Sequence, residues 1–383
     1  MNILFLAHGF SPSSGGVERV TSILTDELKR RGHNVVFCQI SSDEQRRNNL
    51  SAPLFVIEQA GLSKLTHSSI NNFIKCLDSN NINIIINQTP AFNRSIELIA
   101  IAKQKIKRHI IVISTFHNTP SCYLKTANYY LNNLSLINFK HFLGSIHRHI
   151  KLKRNLNNAN RYSDKIVLLS ENYIDELRSF VPSIPKKKIC SIGNPVVEIN
   201  NSTNTNKENV ILFVGRLATP EKNLLGLLRI WKKISIKFPN WRLDLVGNEN
   251  GCEGIKKYIK ENGIKGVSFC GSQDDMKSFY QTSKVVCMTS IFEGWPMVLL
   301  EGMANGCVPI VYNTYGAAEE ILDKGKNGCL ITPNDETSYI ENLTHLLMDE
   351  RLLNLYRKNA QSCVHTWNVD KIVDKWERIF NEF

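Results

Sequence analysis

Ser290-Ile-Phe-Glu-Gly-Trp-Pro-Met-Val-Leu-Leu-Glu-Gly-Met-Ala-Asn-Gly306 is the stretch from which the rest of the chain can be read. It follows Val285, Val286 and Met288, an apolar run of the kind that forms a short buried strand. A polar turn and Gly294 come next. Pro296 then suits the first position of a helix, because its missing N–H would have no partner there. Met297, Val298, Leu300 and Met303 continue the helix, and Gly306 is a good stop. Glu293 falls in the loop and Glu301 about a turn and a half inside the helix. Carboxylates so spaced in a strand–loop–helix can touch two different parts of one ligand lying across the helix start. Taken alone, the pair reads equally well as a solvated loop residue and a surface charge.

Upstream of this stretch the same alternation fills the chain. Ile3–Ala7 reads as a strand and Val17 to Leu28 as a helix stopped by Gly32, with Val35–Cys38 as the next strand. Gly15 and Gly16 stand just before that first helix, where free backbone N–H groups favour an anion. The pattern is not G-x-G-x-x-G, which argues against a dinucleotide site. Strands follow at Leu54–Ile57, Ile82–Ile86 and Ile110–Ile113, with helices at Leu65–Leu77 and Ile96–Ile106. His117 falls just beyond the strand at Ile110–Ile113, at the edge where open α/β sheets bind ligands. A lone histidine is more often structural; only its place makes it a candidate.

Tyr129 to Asn160 interleaves Leu131, Leu134, Ile137, Phe142, Leu143 and Ile146 with Lys140, His147, Arg148, Lys151, Lys153 and Arg154. This reads either as a basic amphipathic helix resting on an anionic membrane or as a core-packed helix with a charged back. Lys103, Lys105, Lys107 and Arg108 would extend the same face. A strand at Lys165–Leu169, a helix at Tyr173–Phe180 and a strand at Ile189–Ile192 lead into the polar stretch Asn200–Glu208, the best linker in the chain.

A second run of βα units starts at Val210–Val214, followed by Gly215-Arg216 and Thr219-Pro220-Glu-Lys222. Thr219 suits the cap of the next helix and Pro220 its first residue. Arg216 and Lys222 then stand beside a helix N-terminus, and two cations with a helix start make a diphosphate clamp. Leu243–Val246 ends in Gly247, another strand-end loop. After Val267–Cys270 and the opening stretch come strands at Val308–Val311 and Gly328–Ile331, then helices at Ile340–Leu347, Leu352–Asn359 and Val369–Phe380. The chain therefore divides into residues 1–195, 196–365 and a terminal helix over 366–383.

The totals agree with two α/β domains. The chain has 383 residues, too many for one ordinary core, and 42% hydrophobic against 21% charged residues excludes a disordered chain. Residues 1–200 hold 25 Lys+Arg against 13 Asp+Glu, so the whole formal charge of +12 belongs to the N-terminal half. A one-sided basic field points to an anionic partner. The ten cysteines show no C-x-x-C pair and no metal-ligand spacing, and several sit in apolar runs, as suits a reducing cytosol. The N-terminus lacks the basic region of a signal peptide, and no apolar run reaches the ~20 residues of a spanning helix.

Together, Glu293-x7-Glu301, Gly215-Arg216…Glu221-Lys222-Asn223, Gly15-Gly16 and His117 resemble the family 4 glycosyltransferases, over nearly the whole length and in the family's order. The resemblance implies the GT-B fold: two doubly wound Rossmann-like domains facing across a cleft, the N-terminal one for the acceptor and the C-terminal one for the donor. The terminal Trp-containing helix resembles the segment that returns to the N-terminal domain. It further implies that Arg216 and Lys222 bind the diphosphate of a nucleotide sugar, with a UDP-sugar as the expected donor, and stabilise its charge as it departs. Glu301 would hold the ribose hydroxyls and Glu293 the transferred sugar. Gly15 and Gly16 would let backbone N–H groups approach the phosphate or sugar, and His117 would contact the sugar near the reacting carbon. Gly247, Gly294, Trp295 and Pro296 complete the expected donor-binding set.

The same resemblance implies retention of anomeric configuration without an enzyme nucleophile, and no D-x-D pair is present for a metal–diphosphate site, so neither metal nor cofactor is expected. The implied activity is hexosyl or N-acetylhexosaminyl transfer to a glycan, with a lipid-linked saccharide at the inner face of the cell membrane as the acceptor, as in O-antigen, capsule or lipopolysaccharide assembly. Two rivals stand beside it: a nucleotide-sugar epimerase of the same architecture, and a non-catalytic sugar-nucleotide binder in an assembly complex. A nucleic-acid partner has only the net charge behind it and is not expected.

Overall fold

The computed structural model describes residues 1–11, 15–40, 50–57, 65–132, 135–196 and 207–383. Of the stretch read as a linker, residues 200–206 lie outside the described residues. The chain forms two compact units: Met1–Ser121, Gly144–Val197 and Val369–Phe383 in one, Cys122–Leu143 and Glu198–Asn368 in the other.

The first unit holds seven parallel strands: β1 (Asn2–Ala7), β2 (Asn34–Gln39), β3 (Leu54–Val56), β4 (Ile84–Asn87), β5 (Ile111–Phe116), β6 (Lys165–Leu168) and β7 (Ile189–Ser191). Their order in the sheet is β3-β2-β1-β4-β5-β6-β7. Strands covered by helices on both faces read as unbroken apolar runs, which is why β1, β2 and β4 were visible in the sequence. Helices α1 (Gly16–Arg30), α2 (His67–Ser79) and α3 (Asn93–Lys105) connect the first strands. β5 runs three residues past the expected Ile113, because Ser114 and Thr115 are buried in the sheet and Ser114 Oγ meets Ser163 Oγ at 2.8 Å. Polar residues that find partners inside a sheet are invisible to an apolarity rule. His117 is the first residue beyond the lengthened strand.

The segment read as one basic helix over 129–160 belongs to two helices, α4 (Cys122–Asn132) and α5 (Leu136–Tyr162). α6 (Tyr173–Phe180) completes the helices of this half of the chain. The grouping departs from the sequence division in two places. Residues 122–143 group with the second unit, where Lys125 Nζ donates to the Thr314 carbonyl at 2.6 Å. The return to the first unit starts at Val369 and not at 366, because Trp367 stays in the second unit with its ring edge-on to Trp295, centroids 5.6 Å apart.

The second unit holds six parallel strands: β8 (Glu208–Val214), β9 (Arg242–Val246), β10 (Val267–Phe269), β11 (Ser283–Met288), β12 (Val308–Tyr312) and β13 (Cys329–Ile331). Their order is β10-β9-β8-β11-β12-β13. Its helices are α7 (Leu224–Lys237), α8 (Glu253–Glu261), α9 (Lys277–Thr282), α10 (Met297–Ala304), α11 (Gly316–Ile321), α12 (Glu336–Met348) and α13 (Glu350–Val364). Each sheet has one switch point, where successive connections leave in opposite directions: between β1 and β4 in the first, and between β8 and β11 in the second. Sheets of this kind bind ligands there, beyond the C-terminal ends of the strands.

The terminal helix α14 (Val369–Phe380) packs on α1 within the first unit. It buries Ile372, Val373, Trp376, Ile379 and Phe380, one apolar face at helical spacing. Its acidic edge meets the basic end of α1. Arg31 Nη1 lies 2.5 Å from Asp374 and 2.8 Å from Glu377, its Nη2 donates to the Asp370 carbonyl at 2.8 Å, and its Nε reaches Glu27 at 2.6 Å. His33 Nε2 meets Glu377 at 2.8 Å. The Glu27 carboxyl, bonded by Arg30 and also by Arg31, is held down to about 2. All ten cysteines are unbonded thiols, and among the described residues no helix is long and apolar enough to cross a membrane.

Arg31→Met should lower unfolding stability by about 1–3 kcal/mol, the range for hydrogen bonds to charged groups, read as a shift in urea midpoint without a change in slope. A folded-state pKa of about 2 against an ordinary 4.5 means Glu27 contributes stability above pH 4.5 and loses it as the pH falls through 2. Glu27→Gln should therefore flatten the fall in urea midpoint across that window, and an unchanged profile would refute the coupling.

Candidate active site

In the second unit the switch point brings together the two loops that the sequence singled out. The first follows β8. Thr219 does not cap a helix through its side chain: its hydroxyl donates to the Arg216 carbonyl at 3.0 Å. Pro220–Lys222 form a single 3-10 turn, Asn223 takes a left-handed conformation with φ 49°, and α7 starts only at Leu224. The expected helix thus begins four residues late, and Lys222 stands at the end of the tight turn just before it.

The second loop follows β11, the strand hydrogen-bonded to β8. Ile291 N–H donates to the Glu221 carbonyl at 2.8 Å, and the Thr289 hydroxyl, 3.1 Å from the carbonyls of both Lys222 and Asn223, ties the turn to the end of β11. This stitching sets the site. Lys222 Nζ meets Glu293 Oε1 at 2.6 Å, with the two side chains only 13% and 15% exposed. A charge pair so little hydrated is screened far less than a surface pair.

The glycines explain how Lys222 reaches that position. A Cβ on Gly215 would lie 3.2 Å from Lys222 Cε, so the lysine stem runs over bare backbone. A Cβ on Gly247 would fall 1.8 Å from the Gly215 carbonyl oxygen, which no side chain can share. Gly247, placed in the donor-binding set from sequence, thus has a packing reason of its own: it lets the ends of β8 and β9 close. Arg216 is different. Its side chain is 72% exposed and paired with Glu221 at 2.5 Å, so it is a solvated cation where Lys222 is a largely buried one.

In the second glutamate loop the helix starts one residue later than expected. Pro296 is the N-cap of α10, with φ −74° and ψ 102°, and Met297 is the first helical residue. Gly306 does stop it: the Gly306 and Cys307 N–H groups return to the Met303 and Gly302 carbonyls at 3.0 and 2.8 Å, with φ 75° at Gly306. Gly294 and Trp295 are buried, Trp295 against Trp367, so the indole supports the loop from inside. Glu301 is half-buried on α10 and accepts from the Tyr280 hydroxyl at 2.8 Å. Tyr280 itself is held by Lys207, whose Nζ donates to the carbonyls of Tyr280 and Ser283 at 2.8 and 2.7 Å. Burial pushes the pKa of that lysine down. Neither Tyr280 nor Lys207 carried any signal in the sequence, because both lie in runs with no motif and act through a fold contact. Asn223 and Ile291, neighbours of the pair, also line a polar pocket with Lys125, Tyr129, Arg229 and Asn313.

In the first unit, the sequence-named residues again lie at strand ends by the switch point. Gly15 is the extended N-cap of α1, and Gly16 begins the helix with open space where a Cβ would stand. The Glu18 carboxylate lies beside Gly15, 2.9 Å from a Cβ built there, so the first turn of α1 already has a negative charge near it. His117, half-buried after β5, hydrogen-bonds through Nε2 to Gln88 Oε1 at the end of β4. Loss of water pushes its pKa down to about 4, so the ring is neutral at physiological pH. Gln88 was missed in the sequence; nothing marks one polar residue after a buried strand.

The match to known proteins agrees with this architecture. Residues 197–362 match the model of the glycosyl transferases group 1, and residues 14–198 match that of glycosyltransferase family 4. An uncharacterised glycosyltransferase of Haemophilus influenzae is 23% identical over 383 residues, 96% of each chain. The Campylobacter jejuni GalNAc-alpha-(1->4)-GalNAc-alpha-(1->3)-diNAcBac-PP-undecaprenol alpha-1,4-N-acetyl-D-galactosaminyltransferase is 26% identical over 185 residues, 48% of this chain and 51% of its own. The crystal structure of Anabaena HepE in complex with UDP and glucose superposes with a TM-score of 0.76 at 18% identity, covering all of both chains. With one family model on each half and a full-length glycosyltransferase relative, the chain belongs to the family 4 glycosyltransferases and has their GT-B fold.

Proposed function

We propose that the protein is a retaining glycosyltransferase that moves a hexosyl or N-acetylhexosaminyl group from a nucleotide diphosphate sugar, with uridine as the base, to a lipid-linked glycan in surface-polysaccharide assembly. The observation that carries the reading is the Lys222–Glu293 pair at the β8/β11 switch point, with the exposed Arg216 on the same loop as Lys222. A sparsely hydrated ammonium at the end of a tight turn stabilises charge where a diphosphate becomes a leaving group, with no metal required. Glu293 holds that ammonium in place until the donor arrives, then shares it and accepts from hydroxyls of the sugar. Glu301, oriented by Tyr280, takes the ribose hydroxyls one and a half turns along α10.

In the step itself the anomeric carbon–oxygen bond to the diphosphate breaks and the acceptor oxygen bonds the same face of that carbon. The acceptor proton passes to a diphosphate oxygen, so no enzyme nucleophile is used. His117, in the first unit, is neutral and so offers hydrogen-bonding atoms without a charge. UDP in the HepE structure and the undecaprenol diphosphate carrier in the name of the Campylobacter relative support the donor and acceptor classes.

For a carrier at the inner face of the cell membrane the protein has a suitable surface. Residues 101–150 contain seven Lys+Arg and no Asp or Glu. On α5, Ile137, Phe139, Leu143 and Ile150 are exposed, Ile137 by 71%, and Lys140, Lys151, Lys153 and Arg154 stand exposed on the same helix. Apolar side chains that insert, flanked by cations that meet anionic headgroups, make a peripheral membrane contact.

Three measurements test the reading. A thermal-shift and hydrolysis screen against UDP-, GDP- and ADP-sugars should pick out uridine nucleotides, and conversion of a UDP-sugar to its epimer without acceptor would mean an epimerase. Lys222→Ala and Arg216→Ala should each cut transfer by ~10²-fold or more; near-normal rates in both would remove the diphosphate clamp. Neutralising Lys151, Lys153 and Arg154 together should release the protein from anionic vesicles at low salt, each cation contributing about 1 kcal/mol. Undiminished binding would rule out this face.

A further inference from the structure

The hydrogen bonds around His117 run in one direction, and that direction fixes which ring nitrogen carries the proton. Thr21, on α1 and 1% exposed, donates its hydroxyl to the Val17 carbonyl at 2.8 Å. With its only hydrogen committed, Thr21 Oγ1 can do no more than accept. It accepts from Gln88 Nε2 at 3.2 Å. That sets the amide of Gln88, 5% exposed, with its NH2 toward Thr21 and its Oε1 toward His117. An amide oxygen cannot donate, so the His117 Nε2 facing it must carry the hydrogen. In a neutral ring Nδ1 is then bare, an acceptor. It is buried and meets no donor among the described residues. A buried acceptor left without a donor is destabilising, and a ligand hydroxyl would relieve it.

We infer that Thr21 and Gln88 are positioning residues that hold His117 as the Nε2–H tautomer and so present Nδ1 as a hydrogen-bond acceptor to a hydroxyl of a sugar ligand at the β1/β4 switch point. The chain of bonds starts on α1, the helix that Gly15 and Gly16 begin, and ends on the loop after β5. The helix and the histidine are thereby tied across the β1/β4 switch point by one buried glutamine. Burial is the whole cause of the depressed pKa of the ring, with no charged side chain contributing, so the tautomer is set by neutral hydrogen bonds alone. The second half of the inference rests on the sugar contact that the family resemblance implies for His117; the first half does not.

The test uses the full chain, deuterated and labelled with 15N-histidine, with the His117 resonances assigned by their loss in His117→Ala. Long-range proton–nitrogen spectra of the ligand-free protein at pH 7 should show protonated Nε2 and bare Nδ1, with an excess on the order of tenfold, the equivalent of one net hydrogen bond. Gln88→Met, which keeps the length but removes the acceptor, should return the ring toward the mixture of free imidazole, and Thr21→Val should do so in part. Gln88→Glu keeps an acceptor and adds a negative charge, so the ring should now titrate at least tenfold closer to neutral proton concentration. A wild-type ring found as the Nδ1–H form or as imidazolium at pH 7, or one unmoved in Gln88→Met, overturns the assignment.

Adding UDP-glucose, UDP-N-acetylglucosamine or GDP-mannose at millimolar concentration tests the sugar contact separately. A shift of Nδ1 by any of them that UDP or GDP alone does not produce supports it. No shift with all three overturns the sugar contact while leaving the tautomer result standing by itself.

Discussion

Parallel strands all end at the same edge of their sheet, and the connections leaving a central pair must diverge to opposite faces. The candidate site follows from that constraint. At β1/β4 and at β8/β11 the loops diverge to opposite faces, and sheets of this kind bind ligands at such points. The Lys222 turn and the Glu293 loop come from strands that are hydrogen-bonded neighbours, so their closeness is set by the sheet and not by the length of either loop.

At the second of these switch points, the proposed chemistry depends on holding a cation with little water around it. A lysine ammonium is strongly hydrated and is removed from water only with a partner. Glu293 supplies one at 2.6 Å, and two glycines make the space: Gly215 admits the lysine stem and Gly247 admits the Gly215 carbonyl. The exposed Arg216, paired with Glu221, is the solvated counterpart of Lys222. Around Glu301 the same logic recurs with a neutral donor, where Tyr280 fixes a half-buried carboxylate and Lys207 fixes Tyr280.

The first unit handles polarity differently. Neutral hydrogen bonds run from Thr21 through Gln88 to His117 at the strand ends, and an ion-pair cluster stands at the other end of α1, where Arg30, Arg31 and Glu27 receive α14. The terminal helix brings its own apolar face, but its acidic edge decides which end of α1 it meets.

Much of this was legible from residue order. Apolar runs separated by helical spacing determined two doubly wound sheets, because strands buried on both faces are mostly apolar, and the paired glutamates, the Arg/Lys pair and the glycine pair marked loops that lie at the two switch points. What the sequence could not contain were contacts between distant residues. The hydrogen bonds of Tyr280 to Glu301 and of Gln88 to His117 join positions 21 and 29 residues apart. The four-residue delay of α7, the extension of β5 through Ser114 and Thr115, and the grouping of 122–143 with the second unit likewise depend on partners supplied by other segments. Local periodicity is set by neighbours along the chain, so residue order alone determined the elements. Which polar atoms face each other is set by how the elements pack, and only the tertiary structure decided it.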